Sequence, residues 1–215
     1  MTTMIPLGPF DLSEPIGKGG MGVVWKGVHR ASNLPVAVKA LRGDRAWDQR
    51  LLDLFALEVR AVAGLTHPGI VLVLDHGAIP PSTQEASEGL IPAGSPYLAM
   101  ELTTGGTLLD RAGQLEWPEL LALSRALLAG LAHAHARGVV HRDIKPGNVL
   151  LSSTADLRQG PRLTDFGIAH LPPSPTEEVE RPQGFFGSPS YIAPEQIDPG
   201  RGPIGPWTDL YSLGC

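Results

Sequence analysis

Cysteine is nearly absent: the single one, Cys215, is the last of 215 residues. A disulfide scaffold is thereby excluded, and a reducing, cytoplasmic compartment is the expected setting. Long apolar runs are missing too. No stretch reaches the roughly 18 residues that a membrane span needs. Residues 1–10 also lack the basic-then-apolar order of a secretory signal. Neither a signal peptide nor a membrane segment is therefore expected in this chain. Positive charge is scarce: 17 Lys and Arg stand against 22 Asp and Glu, for a formal net charge of −5. That balance gives no bulk attraction to nucleic acid or to an anionic membrane, so no nucleic-acid partner is expected. There is no internal repeat. What the chain does have is 42% hydrophobic residues, enough to build the core of one or two domains.

Its densest polar cluster is His141-Arg142-Asp143-Ile144-Lys145-Pro146-Gly147-Asn148, which is followed at once by the apolar Val149-Leu150-Leu151. Seventeen residues beyond Asn148 comes a second acid in a tight turn, Asp165-Phe166-Gly167. A long apolar helix over residues 117–137 precedes the cluster, so these polar groups are expected at the edge of a core, where side chains are held.

Upstream, residues 10–16 and 23–28 read as strands around the Gly-rich Gly17-Lys18-Gly19-Gly20-Met21-Gly22. A dinucleotide-binding turn runs from strand to helix and has an acid about 20 residues on. Here the next element is a strand, and the corresponding position is Lys39, so that reading falls. Residues 34–41 read as a third strand, in which Lys39 ends a small apolar run. Residues 47–65 read as a helix with Leu51, Leu54, Phe55, Glu58, Val62 and Leu65 on one face. A carboxylate in such a stripe is costly unless it is paired, and Lys39 is the candidate partner of Glu58. Further strands are expected over 70–75 and 96–102. Between them, residues 78–95 are rich in Pro, Ser, Glu and Gly and read as an exposed, mobile loop. In the long apolar helix, leucines on nearly every side imply a central core position. His133 and His135 lie on different faces of it and read as structural, not as a metal pair. Short strands over 148–151 and 162–164, an exposed loop over 171–184 and the start of a helix at 207 complete the chain. A strand-rich segment with one helix thus precedes a helix-rich segment, with the junction near residues 101–106.

Glycines let backbone N–H groups approach phosphate oxygens, a lysine holds phosphate, and carboxylate and amide oxygens hold Mg²⁺. A further carboxylate must reach the attacking hydroxyl. Asp143, Asn148, Asp165, Lys39 and Lys145 together suit phosphoryl transfer from a metal-bound nucleotide.

On these motifs the chain resembles the protein kinase superfamily, in particular the bacterial eukaryotic-like serine/threonine kinases. The resemblance implies an α+β bilobal fold. Its N-lobe, residues 10–101, would carry an antiparallel five-stranded sheet plus helix C. Residues 102–106 would be the hinge, and 107–215 a mainly helical, incomplete C-lobe. Ile16, Gly17, Lys18, Gly19, Gly20, Gly22 and Val24 would form the loop over ATP. Lys39 would contact the phosphates and pair with Glu58. Ala37, Val24 and Leu150 would sandwich adenine, and Met100, Glu101 and Leu102 would be the gatekeeper and hinge. Asp143 would be the base-like residue, Lys145 would lie near the γ-phosphate, and Asn148 and Asp165 would hold Mg²⁺ or Mn²⁺. Ala193-Pro194-Glu195 would close the activation segment. Asp209 would anchor the catalytic loop, beneath a spine of Val62, Val73, His141 and Phe166. Lys145 matches the Ser/Thr-specific pattern, so the implied activity is ATP-dependent phosphorylation of protein Ser/Thr hydroxyls. A homodimer is among the assemblies that would allow autophosphorylation.

Two other readings compete: a nucleotide-binding or scaffold module with little catalysis, and a small-molecule kinase of the aminoglycoside phosphotransferase type. Ala193-Pro194-Glu195 and Lys145 speak against the second. The family's large lobe continues through several more helices, so the chain reads as a fragment. On that reading Asp209 sits on a frayed end, Glu195 lacks its usual arginine and apolar surface is exposed.

Arg142 beside Asp143 resembles kinases activated by phosphorylation of the following loop, with Ser174 and Thr176 as candidate phosphosites. Alanine at both positions is expected to lower activity and to leave the loop more open to protease. Unchanged activity and protection would contradict this.

Overall fold

The structure is a computed structural model that describes residues 4–19, 22–41, 59–166 and 189–215. Its contacts divide the chain into two units, Met1–Gly64 with Leu72–Thr103, and Leu65–Val71 with Thr104–Cys215.

In the first unit, β-branched and alternating segments pair into one antiparallel sheet. Its strands are β1 (Ile5–Leu7), β2 (Phe10–Gly19), β3 (Gly22–His29), β4 (Leu34–Leu41), β5 (Val73–Ala78) and β6 (Pro96–Glu101), in the order β1-β2-β3-β4-β6-β5. The sheet has six strands where five were expected. The addition is β1, which pairs Ile5 with Leu12 and Leu7 with Phe10 through a turn at Gly8, φ +52°. Three residues carry too little alternation to announce a strand.

Register divides the sheet into two faces, because residues directly opposite in antiparallel strands point the same way. Trp25, Val38 and Ala99 align across β3, β4 and β6, and with Val36, Ala40 and Tyr97 they line the buried core. Val24, Lys39 and Leu98 align on the other face, as do Ala37 and Met100. The apolar residues that hold the sheet together therefore leave Lys39 on the opposite side.

Residues 78–95 are not the mobile loop that their composition suggests. Pro81 starts a short helix, α1 (Pro81–Ala86). Ile79 closes the segment's neck with two backbone bonds, its N–H donating to Ser95 O and its carbonyl accepting from Gly94 N–H, both at 2.8 Å. The Thr83 hydroxyl donates to Pro6 O at 2.6 Å, which ties the segment to β1. Ile79 and Ile91 join the core. Proline and serine serve here as helix start and turn partners.

The expected strand over 70–75 is displaced to β5. Ile70 belongs to the second unit, where it forms a parallel bridge with Leu163. Residues 59–63 are helical; of the expected stripe Val62 and Leu65 are buried, and so is Val59, which the stripe did not include, while Glu58 and the other expected stripe positions lie outside the described residues.

The second unit is built on α2 (Trp117–His135), with Pro118 in its first turn. The helix ends near Gly138, whose φ of +75° is left-handed and suits glycine. Only one stripe is buried, namely Leu127, Gly130, Leu131 and Ala134. Leu120, Leu121 and Leu128 are 37–43% exposed, so the helix is not the all-round core element expected. Against the buried stripe runs the 69–71 backbone, close enough that a Cβ on Gly69 would lie 2.9 Å from Ala126 O. A small ribbon, β7 (Val149–Leu150) and β8 (Arg162–Leu163), carries the polar loops, and α3 (Pro194–Ile197) and α4 (Pro206–Gly214) follow. Among the described residues no helix is long and apolar enough to cross a membrane.

Replacing Ile91 with alanine empties a site that is 1% exposed. The expected cost is about 2–4 kcal/mol of unfolding free energy in a denaturant titration. A cost near zero would mean that residues 78–95 do hang free.

Candidate active site

The polar cluster and its supports belong to the second unit. Residue 146 is a proline that opens a 3-10 turn, Pro146–Asn148, and β7 begins at once. The loop's polar side chains are therefore fixed between a turn and a strand. Asp143 sits at its centre. Lys145 Nζ donates to both of its carboxylate oxygens, at 3.0 and 2.8 Å. Asn148 Nδ2 donates to Asp143 Oδ2 and to its backbone carbonyl, both at 2.8 Å. Both amide hydrogens of Asn148 are spent on Asp143, which leaves the amide oxygen as its contribution to a cation. Thr164 N–H donates to the Asn148 carbonyl at 3.0 Å, so the strand before Asp165 is tied to the same turn. Asp165 itself has φ +61°, a left-handed conformation that non-glycine residues seldom adopt.

Under this loop lies Asp209, on the first turn of α4 and fully buried. Its Oδ2 accepts from His141 N–H at 2.8 Å and from His135 Nε2 at 2.7 Å, and its Oδ1 accepts from Arg142 N–H at 2.8 Å. Three donors on one carboxylate satisfy a charge that would otherwise be costly to bury. The expectation that Asp209 sits on a frayed end is therefore not met. α4 is held at the same point by Thr208, whose hydroxyl donates to Glu195 Oε1 at 2.6 Å. Glu195 has a partner from within the described chain.

His141 is wholly buried. Its Nε2–H donates to Thr164 O at 2.9 Å, and its Nδ1 accepts from Asp143 N–H at 3.3 Å. That pattern needs the neutral ring. Burial holds the imidazole below its ordinary pKa, outweighing the pull of Asp209 and Asp143 toward the charged form. Its ring stacks on Phe166 with centroids 4.4 Å apart. Two members of the expected spine thus meet in this unit; Val62 and Val73 belong to the first.

The remaining sequence candidates fall as follows. Ile16, Gly17, Lys18 and Gly19 lie on β2, and Gly22 and Val24 on β3, with Gly19 paired to Gly22. The hairpin tip, including Gly20, lies outside the described residues. Ala37 and the buried Lys39 share a face of β4, with Met100 on β6 and Val24 on β3 aligned beside them. Glu101 sits on the other face at the end of β6, where its carboxylate accepts from Leu72 N–H at 2.9 Å, and Leu102 follows. Leu150 lies in β7, bridged to Thr107. Ser174 and Thr176, like Glu58, lie outside the described residues.

Three supports escaped the sequence reading. His135 reads from sequence as structural but without a partner, and the signal that points to its partner is a histidine at the end of the helix feeding the loop. Thr208 and Gln196 carry no charge to draw attention. Gln196 Nε2 donates to the Arg142 carbonyl at 2.7 Å. Asp156 is another surprise: its carboxylate accepts from Thr104 N–H at 3.0 Å, Thr104 Oγ1 at 2.7 Å and Ser153 N–H at 2.8 Å. Burial alone would raise its pKa, but these hydrogen bonds carry it below the usual carboxylate value.

A loop of Asp, Lys and Asn suspended from a buried carboxylate, in a chain with a strand-borne lysine and a glycine hairpin, is the arrangement of a protein kinase domain. Residues 10–215 match the protein kinase domain model, and the chain belongs to that family. It is 37% identical over 214 residues to the serine/threonine-protein kinase PknA of Mycobacterium tuberculosis, covering 96% of this chain and 45% of that protein. It is 38% identical over 211 residues to PknK of the same organism, covering 96% of this chain and 17% of PknK. The chain therefore spans less than half the length of these relatives. Among solved structures, the Mycobacterium tuberculosis PknI kinase domain superposes with a TM-score of 0.71 at 27% identity, over 99% of this chain and 74% of that one.

Replacing Asp209 with alanine strands two backbone N–H groups, that of the buried His141 and that of the half-buried Arg142. Each costs about 1–3 kcal/mol, so chemical denaturation should show a loss of about 2–6 kcal/mol. A loss below about 0.5 kcal/mol, within the range of an ordinary surface substitution, would contradict the arrangement.

Proposed function

We propose that the chain catalyses ATP-dependent phosphorylation of serine and threonine hydroxyls on proteins. The observation that carries this is the double clamp on Asp143: Lys145 and Asn148 hold its carboxylate from two sides. A carboxylate so fixed can accept a hydrogen bond from an incoming hydroxyl without paying to reorganise. Lys145 offsets negative charge next to it, where a phosphoryl group would add more. Lysine at this position, two after Asp143, supports Ser/Thr over Tyr specificity, as do the names of the kinase relatives.

The amide oxygen of Asn148 and the carboxylate of Asp165 are hard oxygen donors that suit Mg²⁺ or Mn²⁺. When bound with ATP, such an ion neutralises phosphate oxygens. On the first unit, the sheet face carrying Val24, Ala37 and Met100 is apolar enough to receive an adenine ring, and Lys39 on that face suits the phosphates. Ile16 to Gly22 would supply backbone donors above them, Glu58 would pair with Lys39, and Glu101, Leu102 and Leu150 would complete the nucleotide site. Activation by phosphates on Ser174 and Thr176 rests on Arg142 standing beside Asp143. A chain with one cysteine suits a reducing cytoplasm.

The test is transfer of labelled phosphate to a generic Ser/Thr-rich acceptor. Asp143→Asn is expected to slow it by roughly 10²–10⁴-fold, while thermal stabilisation by Mg-ATP persists. Equal transfer by both forms would overturn the proposal, and stabilisation without transfer by the wild type would favour a nucleotide-binding module.

A further inference from the structure

We infer that Gln196 is a positioning residue for phosphoryl transfer, because its side-chain amide fixes the peptide that joins Arg142 to Asp143. The inference rests on the proposed kinase activity and adds to it a residue that no motif singles out. Arg142 has φ +66°, in the left-handed region that residues bearing a Cβ rarely occupy. Such a conformation persists only where its surroundings hold it. Here both ends of the residue are held: the Arg142 N–H donates to Asp209 Oδ1 at 2.8 Å, and the Arg142 carbonyl accepts from Gln196 Nε2 at 2.7 Å. The carbonyl belongs to the same rigid peptide as the Asp143 N–H. Turning that plane would carry the Asp143 side chain with it, away from Lys145 and Asn148.

The orientation of Gln196 is itself determined. Its Oε1 accepts from Ala193 N–H at 3.1 Å, so Nε2 must face the Arg142 carbonyl. The oxygen contact is an ordinary cap on the first turn of α3 and by itself would mark Gln196 as a helix-starting residue. The nitrogen contact exceeds that role, because it reaches a carbonyl 54 positions away in the chain. The residue before it, Glu195, is bonded to Thr208 in the same turn of α4 that carries Asp209. Two successive residues of α3 thus grip the two parts that set Asp143: the helix under the loop and the loop itself. A shift of α3 would be felt at Asp143 through one carboxamide.

Three variants separate this role from simple support of α3. Gln196→Glu keeps the length and the cap acceptor but loses the donor. Gln196→Lys loses the acceptor but keeps a donor long enough to reach the carbonyl. Asp198→Ala removes the bond to Gly200 N–H just beyond α3 and leaves Arg142 untouched. Arg142-Asp143 is the chain's only Arg-Asp pair. A sample with carbonyl-¹³C arginine and ¹⁵N aspartate therefore gives one carbonyl-to-amide NMR peak, read without any activity. For Gln196→Glu, that carbonyl should move upfield and kcat should fall by about 10- to 100-fold, with KM for ATP within about twofold. Gln196→Lys should retain most of kcat, and Asp198→Ala should match the wild type in both readouts. An unmoved peak or unchanged kcat in Gln196→Glu would overturn the inference. So would an equal fall in kcat for Asp198→Ala or Gln196→Lys. A wild-type chain that transfers no phosphate would overturn the kinase reading instead, and the peak position would still decide whether Gln196 holds the loop.

Discussion

One buried carboxylate organises the second unit. Asp209 is removed from water and is stable there because His141, Arg142 and His135 each direct an N–H at it. The dependence runs both ways. Two successive backbone N–H groups meet one carboxylate, and the chain then turns through the left-handed Arg142, φ +66°. That turn aims Asp143 toward Lys145 and Asn148. The geometry of the polar loop is therefore a consequence of satisfying a buried charge. Loss of any one donor would strand part of a charge that is fully buried.

The first unit solves a different problem by the same economy. Its sheet must bury one face to exist, and it uses Trp25, Val36, Val38, Ala40, Tyr97 and Ala99 to do so. The period of two then obliges Val24, Ala37, Lys39 and Met100 to lie on the other face. The buried face is extended by β1 and by Ile79 and Ile91, so the 78–95 segment belongs to the core that keeps Lys39 in register. The chain's membership of the protein kinase family accounts for both units.

Much of this was legible from residue types. Strand β4 was expected over residues 34–41 and spans Leu34–Leu41, because its apolar run is bounded and β-rich. Asp143, Lys145 and Asn148 are charged or amide groups packed into six positions next to apolar strands, and such density rarely lacks a purpose. The misses share a cause: they depend on contacts between distant segments. β1 exists because β2 offers it an edge. The 78–95 segment is ordered because Thr83 finds Pro6 and Ile91 finds the core, although its composition resembles a linker. α2 looked buried all round because leucine content says nothing about which side has a neighbour. Asp209 looked frayed because short terminal helices are weak by themselves, yet its bonds run to residues 67–74 positions away. Gln196 was invisible for the same reason, as a neutral side chain whose partner is a carbonyl far along the chain.

The claim on which the rest depends is that Asp209 holds the His141 and Arg142 amides. Native-state hydrogen exchange resolved to single amides tests it most directly. Both amides should exchange only through global unfolding, with protection that tracks the stability of the unit as denaturant is added. Exchange of either at the rate of an exposed loop amide would contradict the account.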